Sequence, residues 1–251
     1  MRFIKNMQIA VMADIHSNLE ALEAFLNCIC KEKINKFICL GDIVGYGASP
    51  NECVEVISKS PNLYAVSGNH DWGVLGKTDL SCFNEIARIA IIWTQNQLNS
   101  KAKDYLGSLP LISIASGAFL VHATPEAPAD WNYLVDVYDA RRQFQHFNEK
   151  ICFVGHSHVP MAFELNETTD ELKIIRDKKF SIADAHCRYL INVGSIGQPR
   201  DGDPRASFVI WNVQDQTIEF RRVTYNIKRA QQKIRRTGLP LFLASRLSVG
   251  R

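Results

Sequence analysis

Long apolar runs are missing from this sequence of 251 residues, and none approaches the ~18 apolar residues that a membrane-spanning helix needs. The first apolar stretch stops at Asp14 without a small-residue cleavage site, so a secretory signal is not predicted. The sequence also lacks linkers, internal repeats and low-complexity tracts. We therefore expect one domain over residues 1–251, a cytoplasmic location and no membrane partner.

Paired cysteines and strong net charge are missing as well. The seven cysteines include no C-x-x-C pair that would indicate a zinc or redox centre. Cys28, Cys39, Cys53 and Cys152 lie among apolar residues, as free thiols do in a reducing cytosol. A formal net charge of +3 is too small for a protein that coats nucleic acid, so nucleic acid is not an expected partner.

Apolar strands and amphipathic helices alternate in the first third of the chain. Residues 8–14, 37–42 and 62–71 are typical of strands, and residues 17–33 and 51–60 are typical of helices between them. This alternation predicts parallel strands joined by helical crossovers.

The rest of the chain combines a helical part with many strands. Residues 79–107 are mostly helical in pattern, and residues 111–124 indicate a hairpin around Gly117. A basic helix at about 226–237 follows the last strands. The pattern predicts an α/β fold with two sheets back to back and helices outside.

Six short stretches carry residue types that bind metal, and each follows an apolar strand: DIH (14–16), GD (41–42), GNHD (68–71), VHAT (121–124), GHSH (155–158) and NVGS (192–195). Five of the seven histidines lie inside them. Alone, each stretch is weak, because an isolated Asp at a strand end is more often a turn or cap residue. Together they occupy the sheet edge at which α/β proteins bind ligands.

These residue types fit a particular metal chemistry. Carboxylates together with imidazoles suit Mn²⁺, Fe or Zn²⁺, and the lack of Cys in the six stretches argues against a closed structural zinc site. Two metals ~3.5–4 Å apart need a bridging anion. Asp42, which lies in the glycine-containing stretch LGDIVGYG, is suited to that bridge.

The order D-x-H, GD, GNH, a later His after an apolar strand, and GHxH resembles the calcineurin-like metallophosphoesterase superfamily, from Met7 to about Ser195. The part from NVGSIGQPRDGDPRAS through the terminal helix resembles its bacterial YfcE-like branch, with a relation to diadenosine tetraphosphate hydrolases as a further expectation. The resemblance implies a four-layer α/β/β/α sandwich of two mixed sheets flanked by helices.

The resemblance also implies two divalent or trivalent metal ions and their ligands. One ion would be held by Asp14, His16, Asp42 and His158, and the other by Asp42, Asn69, His122 and His156. His70 is not a ligand in this family and would lie over the substrate phosphate, stabilising charge and protonating the leaving oxygen. His146 and His186 belong to no motif and are expected at the surface.

One loop departs from the protein phosphatases of the superfamily, which carry GDxVDRG where this chain has GDIVGYG. Gly45 and Tyr46 therefore replace an acid that orients the catalytic His and an arginine that grips phosphate. Asp71, next to His70, could partly replace the acid. Because both groups are replaced, we do not expect protein phosphatase activity. The Tyr46 ring could instead stack on a base or another flat leaving group.

Arginines in QPRDGDPRAS offer an alternative phosphate clamp. Arg200 and Arg205 flank a glycine turn, and guanidinium forks match phosphate oxygens. A solvated loop with internal Arg–Asp pairs explains the stretch equally well. The terminal helix carries further basic residues that more often form a solvated face than a ligand site: Lys228, Arg229, Lys233, Arg235 and Arg236.

The function implied is a dinuclear metal-dependent phosphoesterase in which a metal-bridging hydroxide attacks a phosphodiester or a nucleoside polyphosphate. Its expected substrate contacts are Asn69, Tyr46, Arg200 and Arg205. A non-catalytic scaffold like Vps29 and a nuclease are the alternatives. The complete set of motif positions favours an enzyme over a scaffold, and the small net charge counts against a nuclease. The sequence does not predict the oligomeric state.

Overall fold

The computed structural model describes residues 7–251, which form two six-stranded sheets and eight α-helices. The first sheet runs, in spatial order, β3 (Leu63–Ala65), β2 (Lys36–Cys39), β1 (Gln8–Met12), β11 (Ala206–Asn212), β12 (Thr217–Val223) and β9 (Lys179–Ser181). The second runs β4 (Ile112–Ala115), β5 (Ala118–Val121), β6 (Ile151–Val154), β10 (Cys187–Asn192), β7 (Met161–Asn166) and β8 (Glu171–Ile175).

The α-helices are α1 (Leu19–Lys31), α2 (Pro50–Ser58), α3 (Asn69–Val74), α4 (Glu85–Gln97), α5 (Ser100–Ser108), α6 (Val137–Gln143), α7 (Ile227–Arg236) and α8 (Leu241–Ser245). Among residues 7–251 no helix combines the length and apolar character needed to cross a membrane. The seven cysteines are free thiols, and Cys39, Cys53 and Cys152 are buried as expected, whereas Cys28 is half-buried.

Each sheet contains three neighbouring parallel strands. In the first sheet β1 pairs with β2 and β2 with β3, and in the second β5 pairs with β6 and β6 with β10. The remaining pairs are antiparallel, so both sheets are mixed. The predicted α/β fold of two mixed sheets flanked by helices is confirmed.

The core lies in layers on both faces of each sheet. In β1, Ile9 and Val11 pack between the sheets, whereas Ala10 and Met12 face α1, with Phe25 buried against them. On the second sheet, Phe144 packs against the outer face beside α6. Because both faces are buried, these strands are apolar throughout instead of alternating with polar residues.

Helix boundaries differ from the sequence prediction at three places. The helical stretch 79–107 divides into α4 and α5, because Asn99 caps α5 by accepting a hydrogen bond from the Ala102 amide. GNHD, at the end of the expected strand 62–71, instead begins the short helix α3. The chain also forms a further helix, α8, directly after Pro240, and its Leu243 is buried against α4 and α7 neighbours.

Helix α7 is attached to α1 by its basic side chains. Lys233 Nζ and Arg229 Nε lie 2.7 and 3.1 Å from the buried Glu20 carboxylate. Lys228, Arg235 and Arg236 are exposed. Two of the five basic residues of α7 therefore pair with α1, and the other three are exposed.

Candidate active site

Seven predicted ligand residues meet where the parallel strands end. Asp14 and His16 follow β1, Asp42 follows β2, and Asn69 starts α3 just after β3. The other three follow β5 and β6 in the second sheet. We call these seven buried residues the inner cluster: Asp14, His16, Asp42, Asn69, His122, His156 and His158.

Backbone strain accompanies the inner cluster. Asp14, His16, Asp42, His156 and His158 have φ values between 49° and 66°, in the left-handed region that non-glycine residues rarely adopt. Such residues cost of order 1–3 kcal/mol each and concentrate at functional sites. The strain turns each chain sharply after its strand, which directs these side chains toward a common point.

The motif glycines allow the loops to approach one another. A Cβ on Gly68 would lie 2.2 Å from Asp42 Oδ1, and a Cβ on Gly155 would lie 2.7 Å from Asp14 Oδ2. Both distances are too short for any side chain, so GNH and GHSH need glycine at these positions. At the same contact, the His156 amide donates a hydrogen bond to Asp14 Oδ2 at 3.0 Å.

Backbone carbonyls orient three imidazoles of the inner cluster. His16 Nδ1 lies 3.0 Å from the Val44 carbonyl oxygen. His122 Nδ1 lies 2.6 Å from that of Leu40, and His158 Nδ1 lies 2.6 Å from that of Gln198. A carbonyl oxygen can accept but not donate, so each Nδ1 carries the hydrogen. The Nε2 atoms are therefore the ones that face the carboxylates.

His16 and His158 present two lone pairs to each other. Burial lowers the pKa of both rings, so both are neutral near pH 7 and Nε2 carries no hydrogen. Their Nε2 atoms are 3.1 Å apart, and His158 Nε2 is 3.3 Å from Asp14 Oδ1. Electron-rich atoms at these distances repel unless a cation lies among them.

Asp42 and His122 form the second centre of charge. Asp42 Oδ2 lies 3.4 Å from His122 Nε2 and 3.5 Å from His16 Nε2. Burial alone would lower the pKa of His122, but the carboxylates of Asp42 and Asp14 outweigh it and raise the pKa to about 9. Because a metal ligand must lose its proton, a cation would compete with that proton for His122 Nε2.

Two atoms of the inner cluster are buried and, within residues 7–251, have no hydrogen-bond partner: Asp14 Oδ1 and His156 Nε2. Burial lowers the pKa of His156 to about 3, so its ring is neutral. Three sets of ligand atoms lie within 4.8 Å of one another: Asp14, His16 and His158; Asp42, His122 and His156; and His16, Asp42 and His70. The donor set and its unpartnered atoms fit bound metal cations.

His70 lies beside the inner cluster. Its ring centroid is 4.8 Å from that of His16, and its backbone amide donates a hydrogen bond to Asp42 Oδ1 at 2.8 Å. Burial lowers the pKa of His70 to about 4. Its Nδ1 is buried without a hydrogen-bond partner in the described chain and faces Gly45, where a Cβ would lie 2.5 Å from it.

The Asp71 carboxylate connects two loops by hydrogen bonds and makes none to His70. Oδ1 accepts hydrogen bonds from the amides of Ile43 and Val44 at 3.0 and 3.2 Å, and Oδ2 accepts one from the Gly68 amide at 3.0 Å. The carboxylate thereby joins the loop after β2 to the loop after β3. Asp71 was expected to orient His70, but no hydrogen bond joins the two side chains in the described residues.

A cavity of about 150 Å³ opens over the inner cluster. His70 lies on its wall, beside Asp42, Asn69, His156 and His158. We call the residues that surround them the outer pocket: Tyr46, Phe83, Trp131, Tyr133 and Arg200.

The structure separates the two arginines of the expected clamp. Arg200 lies in the outer pocket, and its buried Nε has no hydrogen-bond partner in the described residues, while its Nη2 donates a hydrogen bond to Gln198 Oε1. Arg205 is half-exposed and pairs with Asp203 at 2.6 Å. Arg205 therefore matches the internal Arg–Asp pairing that was its alternative interpretation.

Tyr46 is more enclosed than expected for a stacking platform. It is 7% exposed, and its ring centroid lies 4.7 Å from His16 and 4.4 Å from His70. The exposed ring of the outer pocket is instead Tyr133, 52% exposed and stacked on His156 at 4.2 Å. His146 and His186 are exposed and lie outside the pocket, as predicted.

The sequence analysis missed Trp131 and Tyr133. Both lie in the loop between β5 and α6, and Trp131 Nε1 is a buried donor without a partner among residues 7–251. Their one signal in the sequence is a pair of aromatics in the polar stretch PADWNY. That signal does not indicate which surface the rings face.

Comparison with known proteins identifies the class. The sequence model of the calcineurin-like phosphoesterase superfamily domain matches residues 7–216, and the chain belongs to this superfamily. Protein MJ0912 of Methanocaldococcus jannaschii is 46% identical over 99% of this chain and all of its own length. Membership implies a phosphoester hydrolase.

Solved structures agree with this assignment. A metallophosphoesterase from Sphaerobacter thermophilus is 40% identical, with a TM-score of 0.85 over 98% of this chain and all of its own. Protein PH1004 from Pyrococcus horikoshii shares the fold at 21% identity, with a TM-score of 0.80 over 97% of this chain and 98% of its own. Yfce of E. coli is matched at 18% identity, so the expected YfcE-like branch is not confirmed.

Proposed function

We propose that this protein is a dinuclear metal-dependent phosphoesterase that hydrolyses phosphodiesters or nucleoside polyphosphates. One observation carries the proposal: the lone pairs of His16 and His158 face each other at 3.1 Å beside the Asp14 carboxylate. Such an arrangement is stable when a cation lies among the three groups. The set of Asp42, His122 and His156 supports a second cation.

The proposed ligands follow from this arrangement. Asp14, His16, Asp42 and His158 would hold one ion, and Asp42, Asn69, His122 and His156 would hold the other, with Asp42 shared. Carboxylate and imidazole donors suit Mn²⁺, Fe or Zn²⁺. Bound ions would polarise phosphoryl oxygens and lower the pKa of water at the site.

The remaining chemistry belongs to side chains next to the inner cluster. We assign to His70, which lines the cavity, contact with the substrate phosphate or its leaving oxygen through Nε2, because Nδ1 is buried against Gly45. Asp71 is assigned a positioning role, because its carboxylate holds the amides of Ile43, Val44 and Gly68. That contact fixes the loops that carry Asp42 and His70 relative to each other.

The outer pocket supports the proposed substrate class. Arg200 Nε and Trp131 Nε1 are donors without partners in the described chain, and both residues line the cavity, so both are available to phosphate oxygens. Tyr133 offers a half-exposed ring on which a base could stack. Position 46, where protein phosphatases carry an arginine, holds the enclosed Tyr46 instead.

The test is a turnover comparison on metal-depleted protein given Mn²⁺, Fe²⁺, Zn²⁺ or Mg²⁺ separately. The substrates are bis(p-nitrophenyl) phosphate, diadenosine tetraphosphate and a phosphoserine peptide. We expect no turnover without metal and a higher kcat/KM for the first two substrates than for the peptide. A clear preference for the peptide would refute the substrate class, and the absence of turnover with every metal would favour the scaffold alternative.

A further inference from the structure

A second cavity, of about 460 Å³, adjoins the outer pocket and shares Tyr46, Tyr133 and Arg200 with it. We call it the distal cavity. Its outer wall is formed by Phe242 and Arg246. Both residues lie beyond residue 216, where the match to the superfamily domain ends. The chain thus extends the site with a segment that the superfamily match does not include.

This terminal segment is fixed in place by hydrogen bonds and burial. Gln231 of α7 donates a hydrogen bond to the Ala244 carbonyl at 2.9 Å, and Leu243 and Ala244 are buried. The Gly202 amide donates to the Gly250 carbonyl at 2.9 Å, which joins the chain end to the turn just after Arg200. The two arginines of the distal cavity are therefore carried by connected segments.

Neither arginine pairs with an Asp or Glu side chain in the described part of the chain, although others nearby do. Arg205 and Arg222 pair with Asp203 and Asp201, whereas no Asp or Glu side chain lies within 4.0 Å of the guanidinium groups of Arg200 and Arg246 among residues 7–251. Arg246 Nε donates a hydrogen bond to the Arg251 oxygen. Glu85 also lines the distal cavity, and its side chain is exposed to solvent. Two guanidinium groups that line one cavity without a side-chain carboxylate as counter-ion attract an anion.

The environment of Arg246 points the same way. Its guanidinium lies 5.1 Å from the centre of the Phe242 ring, a cation–π contact that holds the fork at the cavity wall. Burial, and after it the charge of Arg200, lowers the pKa of Arg246 to about 10. An anion between the two arginines would relieve this repulsion.

We propose that Arg246, together with Arg200, binds a second phosphate of the substrate, next along the chain from the phosphate that lies at the inner cluster. This rests on the proposed function and narrows it to nucleoside polyphosphates. Arg200 lines both cavities, so its fork can contact two successive phosphates. Arg246 would then discriminate polyphosphates from substrates that have one phosphorus.

The test is calorimetric binding of inorganic tripolyphosphate and inorganic monophosphate to Mn²⁺-loaded protein freed of excess metal. Arg246→Ala should weaken tripolyphosphate binding by ~10-fold, and at least about five times more than it weakens monophosphate binding. The matched control is Arg236→Ala, which removes an exposed arginine of α7 that lines neither cavity. That control should change both affinities by less than about twofold.

Arg246→Gln separates charge from packing, because it keeps most of the aliphatic side chain and loses the charge. It should show the same selective loss as the alanine variant. Equal weakening of both ligands, no weakening, or a loss confined to the alanine variant would overturn the proposal. Because binding is measured, these results stand apart from the turnover screen, whose failure would refute the proposed function instead.

Discussion

The inner cluster and the outer pocket are held by different kinds of structure. Imidazoles of the inner cluster follow strands directly and donate hydrogen bonds to backbone carbonyls, as His122 does to Leu40. The outer pocket relies on longer loops, and Tyr133 in it is half-exposed. Under the proposed function, the difference separates two tasks: a rigid site for metals and a more exposed surface for the substrate. Changes in the first should alter metal content and rate, and changes in the second should alter binding.

The largest effect is expected from Asp42→Asn. The change removes the carboxylate charge that lies within 3.5 Å of both His16 and His122. Metal content should fall, and kcat/KM on bis(p-nitrophenyl) phosphate should drop by ~10³-fold or more, because several kcal/mol of charge stabilisation is lost. Elemental analysis and turnover check this, with Asp203→Asn, outside the site, as the control. Full metal content with normal turnover in the Asp42 variant would sink the assignment of this ligand.

The next largest effect is expected from His70→Ala. This residue lies between the inner cluster and the outer pocket. The variant should keep its metals while kcat on alkyl esters falls by ~10²–10⁴-fold, because such leaving groups need proton assistance. The loss should be smaller on a p-nitrophenyl ester, whose leaving oxygen hardly needs a proton. Metal analysis and rates on both esters are the measurements. Equal losses on the two esters would exclude the role in leaving-group departure.

The two regions also differ in how far the sequence predicted them. Residues of the inner cluster belong to short motifs at strand ends, and parallel pairing of β1, β2 and β3 brings such ends to one edge. The fold class and the convergence of these seven residues were therefore predictable. The positive φ values of Asp14 and Asp42 were not, because tertiary contacts impose them against local preference.

Arg200→Ala should have an intermediate effect that is confined to binding. Loss of a charge-assisted contact with phosphate should raise KM by ~10-fold or more and change kcat little. Arg205→Ala is the matched control, since Arg205 belongs to the same loop and pairs with Asp203. Steady-state kinetics on diadenosine tetraphosphate measures both. A fall in kcat without a rise in KM would contradict the binding role of Arg200, and equal effects of the two changes would remove the distinction between them.

Trp131→Phe should have the smallest effect. It keeps a ring beside His122 and removes the Nε1 donor that is unpartnered in the described chain. A neutral hydrogen bond to phosphate contributes about 0.5–1.5 kcal/mol, so KM should rise by roughly 2–10-fold. Kinetics on the same substrate measure it. An unchanged KM would show that the indole N–H does not contact the substrate.

The outer pocket could not have been predicted to the same extent, for a physical reason. Its residues Trp131 and Arg200, and Arg246 of the adjoining distal cavity, come from segments far apart in the chain, and each segment has the sequence pattern of a polar loop or a terminal helix. Their convergence depends on packing such as that of Leu243 against α7, which no short motif encodes. For Arg205, both interpretations fitted the sequence, and in the structure its guanidinium pairs with the neighbouring Asp203.

The most direct test of the inner cluster is an anomalous difference map from crystals of the unmodified protein grown with Mn²⁺. We predict two peaks, one beside Asp14, His16 and His158 and the other beside Asn69, His122 and His156, with the Asp42 carboxylate between them. A single peak in the inner cluster, or peaks located elsewhere on the protein, would contradict a dinuclear centre at this site.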